Sequence, residues 1–104
     1  MNWKNEKLKD LARAFSVIKN PHNIAIFLRD LCTLDELEEM SNRWQAVLLL
    51  NQGKTYREIA KKTGLSTTTV TRIAYWLEHG EGGYKAALHG RDEAMPRLYK
   101  KLKK

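Results

Sequence analysis

The sequence predicts an all-α chain, and three observations carry that prediction. Apolar residues recur at spacings of three and four along most of the 104 residues, helix-capping residues stand before four of those runs, and no stretch alternates as a half-buried strand would. The first run, Leu8, Leu11, Ala12, Phe15 and Ile18, marks an amphipathic helix. Asn20 and Pro21 then restart the chain, because asparagine is a good cap and proline fits the first helical position. The second helix follows through Ile24, Phe27, Leu28 and Leu31. Thr33 with Glu36 forms a capping box that opens a third helix, with Leu34, Leu37, Met40, Trp44, Val47 and Leu48 on its apolar stripe and its end near Gly53.

That third helix finishes in Ala46-Val-Leu-Leu-Leu50, which is apolar around its whole circumference and so calls for burial on every side. A domain of this size buries only about 60 to 68% of its unfolded surface. A second copy of the chain is the expected cover, which predicts an interlocked homodimer. The competing arrangement is a central helix wrapped by its own neighbours.

Residues 55–79 read as a helix-turn-helix. Thr55 and Glu58 form a second capping box, Gly64 supplies the left-handed conformation that a helix end often needs, and Ser66 can cap the next helix. At 100° per residue, Val70, Ile73, Ala74 and Leu77 share one stripe of that helix and can pack on Ile59, Ala60 and Leu65. The opposite stripe carries Thr68, Thr71, Arg72 and Tyr75, with Ser66 and Thr67 at the helix start. An idle helix surface would favour Glu, Lys, Gln and Ala, whereas four threonines between 67 and 71 give up helix propensity. Short hydroxylated side chains let a backbone approach a DNA groove, and Arg72 can reach a phosphate or a guanine edge. An ordinary helical hairpin in a bundle is the plain alternative.

Charge points the same way. Residues 1–40 hold six bases and seven acids, a net of −1, whereas residues 41–104 hold thirteen bases and five acids, a net of +8. Lys54, Arg57, Lys61 and Lys62 lie on or just before the first helix of the motif, where they would supply salt-sensitive phosphate contacts. A merely basic, solvated surface is the bland reading of the same numbers.

Length and composition, with 42% apolar and 30% charged residues, predict one compact domain over residues 1–90, followed by a basic tail over 91–104. Tyr84, Ala87 and Leu88 suggest a last short helix that docks on the body, and the tail, broken by Pro96, either adds phosphate contacts or is solvated. No apolar run is long enough to span a bilayer, and the N-terminus lacks a secretory apolar segment, so a cytoplasmic protein without membrane contact is expected. The single cysteine, Cys32, cannot form an internal disulfide and reads as a small buried hydrophobe. His22, His79 and His89 have no metal-site spacing, no nucleophile-base arrangement stands out, and Glu58 and Glu78 are isolated, so neither cofactor nor enzyme is expected.

The residues now carry a resemblance. Leu31-Cys-Thr-Leu-Asp-Glu-Leu-Glu-Glu-Met40, Arg43, Leu50-Asn-Gln-Gly53, Thr55-Tyr-Arg-Glu-Ile59 and Thr69-Val-Thr-Arg72 resemble the Trp repressor superfamily, most closely its YerC-like branch, over about residues 22–90. The resemblance implies a six-helix chain interlocked with its twin, so that two recognition helices enter successive major grooves of a palindromic site. It implies that Arg57 contacts a base, that Thr67 and Thr68 begin the base-reading end of the recognition helix, and that Thr71 and Arg72 lie near phosphates. Thr55, Tyr56, Lys61 and Ser66 complete the expected DNA-binding set.

For the effector pocket, the resemblance matches Arg43 and Arg72 to the two arginines that sandwich an indole, and Thr33 and Thr69 to hydroxyl neighbours of the ligand. Ile73 stands where Trp repressor has glycine and Trp76 where it has serine, so both could fill the cavity themselves, and no tryptophan binding is expected. The expected function is a homodimeric regulator of transcription that binds double-stranded DNA and represses by occlusion, with any small-molecule effector left open. The competing class is a protein-interaction module that keeps the helix-turn-helix shape.

Overall fold

The computed structural model describes residues 3–94. Among them the chain forms six helices and no strand: α1 (Glu6–Val17), α2 (Pro21–Leu31), α3 (Leu34–Asn51), α4 (Tyr56–Thr63), α5 (Thr67–His79) and α6 (Gly83–Ala94). The capping chemistry sets where they begin. Asn5 Oδ1 accepts the Leu8 N–H at 2.9 Å, which starts α1 two residues before the apolar run, and Asn20 Oδ1 accepts the Asn23 N–H at 2.9 Å. At the other end, α1 stops sooner than its apolar spacing suggests, because Ile18 is already extended as the cap residue. The Thr33 box is reciprocal: the Glu36 N–H donates to Thr33 Oγ1 at 3.1 Å and the Thr33 N–H to Glu36 Oε1 at 2.8 Å. The backbone N–H of Thr33, and then its side chain, hold the Glu36 carboxyl below the usual glutamate range.

Where the sequence predicts one domain through residue 90, the helices gather into two compact units divided between Glu38 and Glu39, within α3. In the first, Phe15 and Phe27 pack edge to face with ring centroids 5.2 Å apart. Neither α1 nor α2 has a buried residue, and Val17, Ile26, Leu31 and Leu34 stay exposed. Cys32, expected to be buried, is half-buried at the end of α2, where its carbonyl accepts from Arg29 Nη1 at 3.2 Å.

The second unit holds the core: Ala46 and Val47 of α3, Ile59 of α4, Val70 and Ile73 of α5, and Leu88 of α6. Each fully buried valine or isoleucine contributes about 1.5–3 kcal/mol relative to exposure. The all-round burial that the Ala46–Leu50 run calls for is met by Ala46 and Val47, while Leu48, Leu49 and Leu50 are only partly covered. On α6, Leu88 and Tyr84 reach the core as their spacing predicts, but Ala87 is exposed, one position off the buried face. The helix itself runs to Ala94, past the expected boundary at residue 90. The remainder of the expected basic tail, with Pro96, lies outside the described residues.

Candidate nucleic-acid interface

The interface is built on a tight turn. Gly64, at φ 77° and ψ 0°, takes the left-handed conformation that ends α4, and its N–H donates to the Ala60 carbonyl at 2.9 Å. Thr63, 7% exposed, ties the turn together: its hydroxyl donates to the Ile59 carbonyl at 2.8 Å and accepts the Leu65 N–H at 3.2 Å. Ser66 then caps α5 by accepting the Thr69 N–H at 3.1 Å, and its own proton goes to Thr69 Oγ1 at 3.0 Å. With Ile59, Val70 and Ile73 at zero exposure and Ala60, Leu65 and Leu77 against them, the packing stripe lies where the sequence places it, with Ala74 half-buried. The other stripe of α5 is thereby turned outward.

All nine residues expected on the DNA-binding face are exposed and belong to this one segment. Thr55 caps α4, its Oγ1 accepting the Glu58 N–H at 3.2 Å, and Tyr56 and Arg57 open that helix with Lys61 in its last turn. Ser66, Thr67 and Thr68 surround the start of α5, and Thr71 and Arg72 occupy its second turn. Among the described residues the side chains of Thr67 and Thr68 make no hydrogen bond, whereas Thr71 Oγ1 donates to the Thr67 carbonyl at 2.9 Å. Lys54, Arg57, Lys61, Lys62 and Arg72 form no ion pair among those residues, although Lys9, Arg13 and Arg43 elsewhere all do. The first turn of α5 holds no acid, so nothing offsets the positive end of the helix dipole there. Tyr75, 62% exposed, continues the stripe and lies against His79 with ring centroids 4.9 Å apart.

The four effector-pocket candidates do not share one unit. Thr33 lies before Glu38 and caps α3, while Arg43, Thr69 and Arg72 lie after it. Arg43 is half-buried, pairs with Glu39 at 3.1 Å, and keeps a buried Nε without a hydrogen-bond partner among the described residues. Thr69 is half-buried and engaged with Ser66, whereas Arg72 is exposed and forms no ion pair among the described residues.

The family model described as Trp repressor protein matches residues 6–92. The chain belongs to the Trp repressor family. It is 31% identical over 85 residues to the uncharacterised protein YerC of Bacillus subtilis strain 168, covering 82% of each chain. Its fold superposes with a TM-score of 0.78 on a TrpR-like protein from Eubacterium eligens, at 29% identity over 91% of this chain and 97% of that one. A candidate Trp repressor from Staphylococcus aureus gives 0.79, again at 29% identity, over 88% and 95%.

Two positions that set this chain apart from Trp repressor by sequence behave differently from each other in the fold. Ile73 has zero exposure and is part of the core, but Trp76, expected to help fill the ligand space, is 43% exposed. Two further residues shape the motif: Thr63, whose one signal in the sequence is a hydroxyl placed directly before the turn glycine, and Gly80, which follows the last residue of α5. At Gly80 a Cβ would run into the Trp76 carbonyl oxygen, so the glycine is fixed by the close return of the chain at the end of α5. Among the described residues no group of three or more His, Cys, Asp or Glu is placed to hold a metal, and no helix is long and apolar enough to cross a membrane.

Proposed function

We propose that this Trp repressor family member is a sequence-specific regulator of transcription that binds double-stranded DNA as a homodimer and represses by occlusion. The observation that carries the reading is one continuous face on α4 and α5: the Thr67 and Thr68 hydroxyls and Arg72 at the base-reading end, flanked by Lys54, Arg57, Lys61 and Lys62, which form no ion pair among the described residues. These cations suit phosphates and give affinity that falls with salt, while Arg57, Thr67, Thr68 and Arg72 suit base edges. Thr55, Tyr56, Lys61 and Ser66 flank them as backbone contacts, and the acid-free start of α5 favours a nearby phosphate.

An interlocked dimer accounts for the apolar residues that one chain leaves uncovered, and it supplies the two recognition helices that a palindromic site requires. Tryptophan is not the effector in this reading, because Ile73, which is fully buried, is a branched side chain at the position where the resemblance matches a glycine of Trp repressor. Of the four effector-pocket candidates, Arg43, Thr69 and Arg72 belong to the second unit and remain the candidate positions for another small molecule. A second reading, an interaction module that keeps the helix-turn-helix shape, draws on the exposure of Tyr75 and Trp76.

Selection of genomic DNA fragments by the purified chain at about 150 mM salt, with and without tryptophan, separates the two. The regulator reading expects wild type to recover a shared palindromic site in both conditions and a Thr68→Ala, Arg72→Ala double variant to recover none. Fragments without a shared site would sink it in favour of the interaction module.

A further inference from the structure

We propose that Thr71 reads thymine, its Cγ2 methyl lying against the C5 methyl of the base; this rests on the DNA-binding reading above. A threonine hydroxyl has one proton to give. In Thr71 that proton is given to the Thr67 carbonyl at 2.9 Å, on an exposed position of α5. While the bond holds, Thr71 cannot donate to a phosphate or to a base acceptor. With its oxygen folded back against the helix backbone, the methyl is the end left to meet a partner.

The chemistry of the neighbouring positions narrows the choice of base. Asn and Gln suit adenine, Asp and Glu suit the cytosine amine, Arg suits guanine, and apolar groups suit the thymine methyl. The first two turns of α5, residues 67–74, contain no Asn, Gln, Asp or Glu. Their exposed side chains are Thr67, Thr68, Thr71 and Arg72. The face therefore offers one guanine reader and a set of methyls. Thr67 and Thr68 keep free hydroxyls that can serve phosphates or water, and Thr69 is half-buried, which singles out Thr71 as the threonine with a methyl and no donor to present. Thr67 and Thr68 lie four and three residues before it, close enough on the helix surface for their methyls to extend the same apolar strip.

The test uses duplexes of the selected site in which each thymine is replaced in turn by deoxyuridine, which lacks only the C5 methyl. Wild type is expected to bind about fourfold more weakly when one particular thymine of a half-site is replaced, the effect of losing one buried methyl contact. Thr71→Val, which keeps the methyl and drops the hydroxyl, should show the same ratio. Thr71→Ser, which keeps the back-bonded hydroxyl and drops the methyl, should bind the thymine duplex about fourfold more weakly and no longer distinguish the two. Helical circular dichroism of both variants confirms that they fold. A shared site bound with indifference to every deoxyuridine, or a Thr71→Ser protein that keeps the wild-type ratio, overturns the assignment alone. Failure of wild type to select any shared site removes the DNA-binding reading, and the assignment with it.

Discussion

Thr63 shows how much of a helix-turn-helix can depend on one small side chain. Its hydroxyl closes two backbone groups at once, the Ile59 carbonyl and the Leu65 N–H, in a site only 7% exposed. Thr63→Val keeps the shape and removes both bonds, so it should cost about 1–3 kcal/mol, while Thr63→Ser, which keeps them, should cost about 1 kcal/mol for the lost methyl. Urea denaturation at one fixed protein concentration decides this, and a valine variant as stable as wild type would show that the hydroxyl has no structural role. At this scale the sequence was legible where a residue's job is to face outward. Thr67, Thr68, Thr71 and Arg72 stand out because they are wrong for an idle helix surface, and all four are exposed. Thr63 was not legible, because a threonine at the end of a helix looks ordinary until the turn folds over it.

Elements were legible at their beginnings more than at their ends or in their burial. A cap is a contact between residues three apart, so Asn20, Thr33, Thr55 and Ser66 could be found from spacing alone, and each accepts the expected N–H. The early stop of α1 before Ile18 and the exposure of Ala87 depend on what the rest of the chain covers, which spacing does not contain. The Thr33 box carries a pH dependence whose sign follows from its hydrogen bonds. Folding lowers the Glu36 pKa because the ionised carboxylate accepts the Thr33 N–H, so the folded state favours the charged form. That contribution is present above the ordinary glutamate range and is lost as the pH falls through it and below, to the lowered folded value. Glu36→Gln should therefore be less stable than wild type at neutral pH, with the gap narrowing as the pH falls from about 7 to 3. Thermal unfolding of both proteins across that range is the measurement, and a gap that stays constant would mean that the carboxylate's charge has no part in the cap.

For the whole molecule, what the sequence foreshadowed was a deficit of cover. The apolar circumference of Ala46–Leu50 asks for more burial than one small chain supplies, and the fold shows where the shortfall lies. The chain closes over Ala46 and Val47 but leaves Leu48, Leu49 and Leu50 partly covered, and it buries no residue of α1 or α2. Ile26 at 49% exposure, Leu34 at 63% and Met40 at 44% are apolar groups that a lone chain would leave in water. How two copies share them was not legible, since periodicity gives a helix its apolar face and not the neighbour that covers it. If the cover is a second copy, each substitution acts twice in a two-fold interface. Ile26→Glu removes from both chains a half-exposed apolar group whose further burial is worth about 1 kcal/mol, which should raise the dimer dissociation constant at least about tenfold. Sedimentation velocity over a dilution series is the direct check. Wild type should sediment at twice the 12.1 kDa of the chain, and Ile26→Glu should dissociate at concentrations where wild type does not. A wild-type chain that stays monomeric at every concentration would refute the dimer, and with it the placement of two recognition helices on a palindromic site. A dimer unmoved by Ile26→Glu would place the shared surface away from this face of α2.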